Sequence, residues 1–208
     1  MTEMTTPIPS ALTEYKLVVV DVEGNGQNPP EIIEMAALPV DETVTHADMR
    51  SWLIRPEKPI APIVTMKVHG IGNKDVANSP RWTDLAAQIT QVIDGRVLVA
   101  HGAHVEYRVL SAHLPDWAPP MVLDTLRLAK YVWPGLPSYS LEKLADHANL
   151  DLTAVADQQP HRAGYDTWSA WQLLCALVNH SDLDWPGLIK VATLPGSIAP
   201  AQPEGGLW

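Results

Sequence analysis

Residues 15–35 read YKLVVVDVEGNGQNPPEIIEM, and this stretch decides the fold. The apolar, β-branched run from Leu17 to Val20 leads into Asp21 and Glu23, and two glycines follow closely. A short run of this kind, closed by turn residues, predicts a buried strand. Because side chains alternate along a strand, Asp21 and Glu23 are expected to point to the same side.

Two carboxylates side by side at the edge of a core repel each other unless water, hydrogen bonds or a bound cation neutralises them. One interpretation is a strand that runs into a solvated acidic turn, and by itself Asp-x-Glu favours it. The other interpretation is one half of a divalent-metal site. The second needs further ligands from elsewhere in the chain.

The composition is that of one folded globular domain. The chain has 208 residues, of which 46% are hydrophobic and 18% charged, and this favours a substantial core over disorder. The single cysteine, Cys175, excludes an intramolecular disulfide and suits a reducing compartment. With neither a signal peptide nor an apolar run of membrane-spanning length, we expect a cytoplasmic protein and no membrane partner.

The net charge of −10 argues against a broad electrostatic grip on a nucleic-acid backbone. It does not exclude an enzyme that holds a few phosphates through metal ions, because much of the negative charge would then lie in the site itself. We expect a flexible N-terminus at residues 1–13, one domain at 14–195 and a Pro/Gly-rich tail at 196–208.

The order of apolar runs predicts an α/β architecture. The first strand and those predicted at residues 31–40 and 46–56 form an antiparallel meander, and two shorter strands are predicted at 96–100 and 121–125. The later strands alternate with helices, which indicates a mixed five-stranded sheet flanked by helices. Helices are predicted within residues 65–76, 79–95, 101–114, 126–133, 140–150, 161–180 and 184–194.

Two of the predicted helices supply candidate ligands. Glu106 follows a buried strand, and Asp166 shares one helical face with Ala170, Leu173 and Leu177, an unusual place for a charge unless something neutralises it. Mg²⁺ and similar cations prefer oxygen ligands, and a pair of them can activate a nucleophile and stabilise a leaving oxygen.

His161 precedes Asp166 by five residues, which is not a helical repeat, so it fits best on the loop before the helix. From there it could act as a general base towards a water molecule, since its ordinary pKa is about 6.5.

Three segments together resemble the exonuclease motifs of the DnaQ-like superfamily, in the group with a catalytic histidine. VVVDVEGNG resembles the first motif, AHGAHVEYRVL the second and HRAGYD the third, and the resemblance extends from about residue 15 to residue 180. It implies an RNase H-like fold, two Mg²⁺ or Mn²⁺ ions, and hydrolysis from a nucleic-acid 3′ end that releases nucleoside 5′-monophosphates.

The resemblance also implies roles for individual residues. The metal ligands would be Asp21, Glu23, Glu106 and Asp166, the general base would be His161, and contacts to the terminal nucleotide would come from Gly24, Asn25 and His69. For residues 24–26 a plain hairpin turn is an equal alternative, and for His69 a cap on the short helix. Glu34 is interpreted as a buried, hydrogen-bonded structural acid rather than a ligand.

The second motif departs from the family pattern at three positions. Glu106 stands where the family has aspartate, Gly102 replaces asparagine and Val105 replaces phenylalanine. The longer arm of Glu106 could be accommodated by a backbone shift or could weaken the second metal site.

Three functions are therefore compared. The first is a metal-dependent 3′-5′ exonuclease, the second a phosphodiesterase acting on a small nucleotide, and the third a catalytically impaired module that binds nucleic-acid ends or a protein. DNA and RNA, single-stranded or short, are both open as substrates. The oligomeric state is open as well, with a homodimer among the options.

Overall fold

The computed structural model describes residues 7–197 and contains the predicted mixed sheet of five strands, in the order β3-β2-β1-β4-β5. The first three strands form the antiparallel meander, and β4 and β5 run parallel to β1. The strands are β1 (Leu17–Gly24), β2 (Ile32–Val40), β3 (Arg50–Leu53), β4 (Val97–Ala100) and β5 (Val122–Asp124).

Helices cover both faces of the sheet, as predicted. A single turn, α1 (Pro62–Val64), continues into a π-helical turn at Thr65–His69, and Gly70 ends it with a φ of 74°. The longer helices are α2 (Trp82–Ile93), α3 (His104–His113), α4 (Thr125–Val132), α5 (Leu141–Ala148), α6 (Ala163–His180) and α7 (Trp185–Ala192). None of the helices between residues 7 and 197 is long and apolar enough to cross a bilayer.

Alternation along β1 divides the core into two layers. Val18 and Val20 face α2 and α3, whereas Leu17 and Val19 face the long helix α6. Asp21 and Glu23 continue the row of Leu17 and Val19. The two carboxylates therefore lie on the same side of the sheet as α6.

Helix α6 has 18 residues and is buried over most of its length, so packing against the sheet stabilises it along that length. Trp171 is wholly inaccessible, and Trp168 and Cys175 are also core residues. Ala170, Leu173 and Leu177 are buried on the face that they share with Asp166. The prediction that Asp166 points in the direction of the apolar face is confirmed.

Pairing explains the length of one predicted strand, and another has different bounds in the structure. β1 continues through Asp21 and Glu23 to Gly24, in agreement with the expected alternation, because β2 pairs with it through Asp21↔Ala36 and Glu23↔Glu34. β3 is shorter than the predicted 46–56, because residues 46–48 form a 3₁₀ turn. The Asp48 carboxylate caps that turn by accepting the Thr45 backbone N–H at 2.8 Å.

The predicted flexible segments lie only partly within the described residues. Residues 1–6 and 198–208 are outside the described part of the chain. In the described part of the N-terminal segment, Ser10–Leu12 form a 3₁₀ turn and Leu12 is buried in the core. Those residues pack with the domain, and the domain boundaries otherwise stay a prediction.

Candidate active site

The site begins where β1 extends beyond its parallel neighbour. The β1–β4 ladder ends at Val19↔Val99, whereas the β1–β2 ladder continues to Gly24. Asp21 and Glu23 therefore lie on a two-stranded arm, next to the point where the chain leaves β4 for α3. Parallel strands that separate in this way leave a crevice at their carboxyl ends, which is the usual place for a ligand in an open α/β sheet.

Helix α6 brings Asp166 and His161 to this arm. His161 is exposed on the loop before the helix, with a φ of 61°, and its backbone N–H donates to Asp166 Oδ2 at 3.1 Å. The predicted placement of His161 before the helix is thus confirmed. One ligand atom from each of Glu23, His161 and Asp166 lies within 4.8 Å of the others, a group that could hold a metal ion.

Asp21 and Glu106 are not members of that compact group, but both contribute buried carboxylate oxygens beside it. Glu106 lies in the first turn of α3 and is only 6% exposed. Asp21 Oδ2 and Glu106 Oε2 are buried and have no hydrogen-bond partner among the described residues. Buried carboxylate oxygens are normally hydrogen-bonded or bound to a cation, so these two oxygens are unusual.

The charges of the cluster interact strongly. Burial raises the pKa of Asp21 well above its ordinary value, and the carboxylates of Asp166, Glu106 and Glu23 raise it further. Burial is also the main reason why the pKa of Glu23 rises to about 8, with Asp166 contributing next. These carboxylates cannot all ionise close together without a compensating positive charge.

Glu106 and Asp166 show the same effect. Burial raises the pKa of Glu106 to about 8, and the nearby Asp124 carboxylate adds to the increase. Burial raises the pKa of Asp166 to about 6, although the charge and the backbone N–H of His161 lower it. Divalent cations would favour the ionised forms, and an all-oxygen carboxylate set is the one that Mg²⁺ or Mn²⁺ prefers. The residues present therefore fit such ions.

The turn after β1 is shaped by Asn25. Its side chain accepts the backbone N–H groups of Gln27 and Glu31 at 3.1 and 3.0 Å, and its backbone pairs with Glu31 and Ala61. Asn25 is fully buried. It has no accessible polar group left for a substrate, so its place is that of a structural turn residue. Gly24, the other predicted contact here, ends β1 half-buried.

His69, the third predicted substrate contact, is also buried. Its Nδ1 accepts the Ile71 backbone N–H at 3.0 Å, so the proton of the neutral ring lies on Nε2. Burial lowers the pKa of His69 despite an opposing influence from the Gly24 backbone. Nε2 makes no hydrogen bond of good geometry among the described residues. His69 thus stabilises the end of its helical turn, as one interpretation predicted.

An exposed apolar strip flanks the turn, and the sequence patterns did not identify it. Ile63 is 51% exposed and Met66 is 74% exposed. The strip is held in place at Gly26, where an added Cβ would meet Val64 at 2.9 Å. The sequence shows these apolar residues, but apolar residues in a proline-rich loop are common, so they did not indicate an exposed surface.

One acidic residue, Asp124, and one basic residue, Arg162, lie near the site but were not identified as functional residues from the sequence. Asp124 ends β5, and its Oδ1 accepts the backbone N–H groups of Gly102 and Leu126 at 2.9 and 2.8 Å. Arg162, between His161 and the start of α6, makes a two-pronged ion pair with Glu34. Glu34 is hydrogen-bonded and buried, which confirms its interpretation as a structural acid.

Comparison with known proteins identifies the family. The profile of the Exonuclease family matches residues 18–174, which includes every predicted site residue. The chain belongs to the DnaQ-like exonuclease superfamily. Family membership supports a nuclease.

Curated relatives of the chain include exonucleases and polymerase subunits. The chain is 34% identical over 165 residues to the 3′-5′ exonuclease DinG of Bacillus subtilis (strain 168), covering 74% of this chain and 17% of that protein. It is 32% identical over 168 residues to DNA polymerase III subunit epsilon of Treponema pallidum (strain Nichols), covering 77% of this chain and 75% of that subunit. Against the first relative the chain thus spans a small part of a longer protein.

The fold is also that of solved exonucleases. Exonuclease X, in a complex with 5′-overhanging duplex DNA, superposes with a TM-score of 0.69 at 28% identity, over 84% of this chain and 98% of that chain. Exonuclease I superposes with a TM-score of 0.66 at 17% identity, over 85% of this chain and 42% of that chain, and this likeness concerns the fold alone. The predicted RNase H-like fold is confirmed.

One departure from the family pattern has a simple structural reason. Gly102 adopts a φ of 79°, and a Cβ there would meet no atom within 4 Å. Glycine adopts this left-handed conformation freely, and asparagine is the residue that tolerates it next best. The replacement of asparagine by Gly102 therefore preserves the backbone of the turn into α3.

The raised pKa values predict that divalent cations stabilise the protein in a pH-dependent way. Without cations, folded Glu23 keeps its proton up to about pH 8, whereas unfolded Glu23 loses it near its ordinary pKa of 4.5. The folded state binds more protons between these values, so its stability should fall as the pH rises through that window. Since Mg²⁺ needs ionised ligands, its effect on Tm should be larger at pH 8 than at pH 5.5.

The measurement is thermal unfolding in EDTA and in excess Mg²⁺ at both pH values. Asp21→Asn should remove most of the Mg²⁺ effect, and Asp41→Asn, at the opposite end of the sheet, should not. An equal Mg²⁺ effect at both pH values, or in both variants, would contradict the assignment of the carboxylates.

Proposed function

We propose that this protein is a metal-dependent 3′-5′ exonuclease that releases nucleoside 5′-monophosphates. The observation that carries the proposal is the cluster itself: unpartnered buried oxygens of Asp21 and Glu106 beside the compact group of Glu23, His161 and Asp166. A purely structural acidic turn would expose its carboxylates to water or pair them with cations of the chain. Here burial raises the pKa of all four carboxylates.

Each residue has a distinct role in the proposal. Asp21, Glu23, Glu106 and Asp166 would hold two Mg²⁺ or Mn²⁺ ions. When bound, such ions lower the pKa of the attacking water and stabilise the leaving oxygen. A ring nitrogen of His161 accepts the proton of the water, since the side chain is exposed at the mouth of the site and its backbone is tied to Asp166.

A nucleic-acid end is the substrate that the surroundings favour. Ile63 and Met66 present apolar surface beside the turn that follows Glu23, and a nucleobase can stack on or pack against such a surface irrespective of its sequence. The similarity to the 3′-5′ exonuclease DinG of Bacillus subtilis supports the 3′-5′ direction. The net charge of −10 favours a substrate bound through metal cations and contacts to its bases over one bound through a basic protein surface.

The activity is tested with a 5′-labelled oligonucleotide of DNA and one of RNA in Mn²⁺. We expect a ladder of shortened products, no products in EDTA, and none from Asp21→Asn or Asp166→Asn, whose folds should stay intact. A substrate with a 3′-terminal phosphate should be digested much more slowly than one with a free 3′-hydroxyl.

Other outcomes of this experiment separate the alternatives. Turnover of small phosphodiesters without a ladder would favour the phosphodiesterase, and binding of oligonucleotides without turnover would favour the impaired module. Digestion that survives both EDTA and Asp21→Asn would contradict the metal-dependent mechanism. Equal digestion of the blocked 3′ end would contradict the direction of attack.

Glu106 is the ligand for which the prediction is sharpest. Because it is buried beside Asp21 with one oxygen unpartnered, we expect the backbone to be set for its longer arm. Glu106→Gln should then remove most of the activity, and Glu106→Asp should fail to restore it, since a displacement of ~1 Å can reduce a rate by ~10²-fold.

The measurement is kcat of the three proteins on one oligonucleotide in Mn²⁺, with Asp116→Asn, an exposed acid after α3, as the control. If Glu106 is instead a lesion, Glu106→Gln changes little and Glu106→Asp is faster than the parent. That result would favour the impaired module.

A further inference from the structure

Two glutamates face each other across the arm that carries the site. Glu34 on β2 pairs in register with Glu23 on β1. Residues directly opposite each other in an antiparallel pair project from the same face, with Cβ atoms ~4.5–5.5 Å apart. Glu34 is 7% exposed and its charge raises the pKa of Glu23. An acid in this place disfavours the ionised form of a predicted ligand unless a cation of the chain offsets it.

The offsetting cation is Arg162. Its Nε donates to both oxygens of Glu34, at 3.2 and 3.0 Å, and its Nη2 also donates to Oε1. The backbone N–H of Ala163, the first residue of α6, donates to Oε2 at 2.9 Å. Glu34 therefore accepts hydrogen bonds from both the side chain before α6 and the first N–H of the helix. Charge-assisted bonds of this kind are strong and fix the orientation of the groups that they join.

In the sequence, Arg162 lies between His161 and Asp166, two residues of the proposed active site. Arg162 follows His161 directly, and its carbonyl accepts the backbone N–H of Asp166 at 3.0 Å. Further along α6, the Thr167 hydroxyl donates a longer hydrogen bond to the Ala36 carbonyl of β2, at 3.4 Å. The start of α6 is thus tied to the arm through Glu34, in addition to the apolar packing of the rest of the helix.

We propose that Glu34 and Arg162 are positioning residues that fix the first turn of α6 on β2, and thereby set His161 and Asp166 against Asp21 and Glu23. The inference rests on the proposed function for its catalytic consequence. It does not make Arg162 a ligand or a phosphate contact, because the guanidinium is committed to Glu34 through three hydrogen bonds.

The chain offers a matched control pair at the other end of the sheet. Arg96 precedes β4 and makes a two-pronged pair with Asp41, after β2, with both distances 3.0 Å. Its Nη1 also donates to the carbonyl of Leu17, the first residue of β1. The chemistry is the same, but the pair is remote from the carboxylate cluster.

The test compares Glu34→Gln, Arg162→Gln, the double variant and Arg162→Lys with Arg96→Gln. Each is measured for Tm, for kcat and KM on a labelled oligonucleotide, and for Mn²⁺ affinity by calorimetry without substrate. We expect Glu34→Gln and Arg162→Gln to lower kcat and Mn²⁺ affinity by about 10- to 100-fold, the usual effect of losing a residue that orients metal ligands, with KM unchanged.

The remaining variants separate positioning from stability. The double variant should lose no more than the worse single variant, because the two residues act as one unit. Arg162→Lys keeps the charge without the planar fork, so it should fold and recover part of the Mn²⁺ affinity. Arg96→Gln should lower Tm alone.

Three results would overturn the inference. A higher KM with unchanged kcat in Arg162→Gln would make Arg162 a substrate contact. Additive losses in the double variant would make the two residues independent, and effects limited to Tm, as in Arg96→Gln, would make the pair merely structural. If the parent protein is inactive, the proposed function fails, while a selective loss of Mn²⁺ affinity in the Glu34 and Arg162 variants still supports the positioning role.

Discussion

Repulsion among four carboxylates in one buried space is the constraint on which the rest of the site depends. Asp21 lies at its centre, since the charges of Asp166, Glu106 and Glu23 all raise its pKa. The fold creates this crowding because β1 continues past its pairing with β4, while α3 and α6 both begin at that edge of the sheet. A protein selected only for stability would not collect acids there, because each buried charge without a partner destabilises the folded state. The crowding is best explained by a ligand that carries at least two positive charges.

Much of the architecture could be predicted from the sequence because local patterns and tertiary packing agree. The run before Asp21 is apolar and β-branched, and the apolar face of α6 recurs with helical spacing, so the strand, the helix and the direction of Asp166 all follow from periodicity. The pairing that holds the last, polar residues of β1 in the sheet could not be predicted in this way, because local composition does not reveal the register with β2. The role of Asn25 was hidden for a similar reason, since its hydrogen bonds depend on how the turn folds back.

The Glu34–Arg162 pair marks the limit of sequence reasoning most clearly. The two residues are far apart in the chain, and neither belongs to a spacing pattern that predicts the other. A charge within the apolar run of β2 was a sign that something must neutralise Glu34, but its partner became evident only when α6 was placed on the sheet. Glu106 is the converse case: the sequence showed a departure from the family pattern, and the structure shows its carboxylate buried beside Asp21 with one oxygen unpartnered. Both residues connect the packing of the helices to the proposed chemistry.

The most direct measurement is anomalous diffraction from crystals of this protein grown with Mn²⁺ and a nucleoside 5′-monophosphate. The expected result is manganese density in contact with Asp21, Glu23, Glu106 and Asp166, with the phosphate of the nucleotide on the same ions and His161 facing it. Crystals of a protein that digests oligonucleotides from the 3′ end, but whose manganese density avoids these carboxylates, would contradict the assignment of the site.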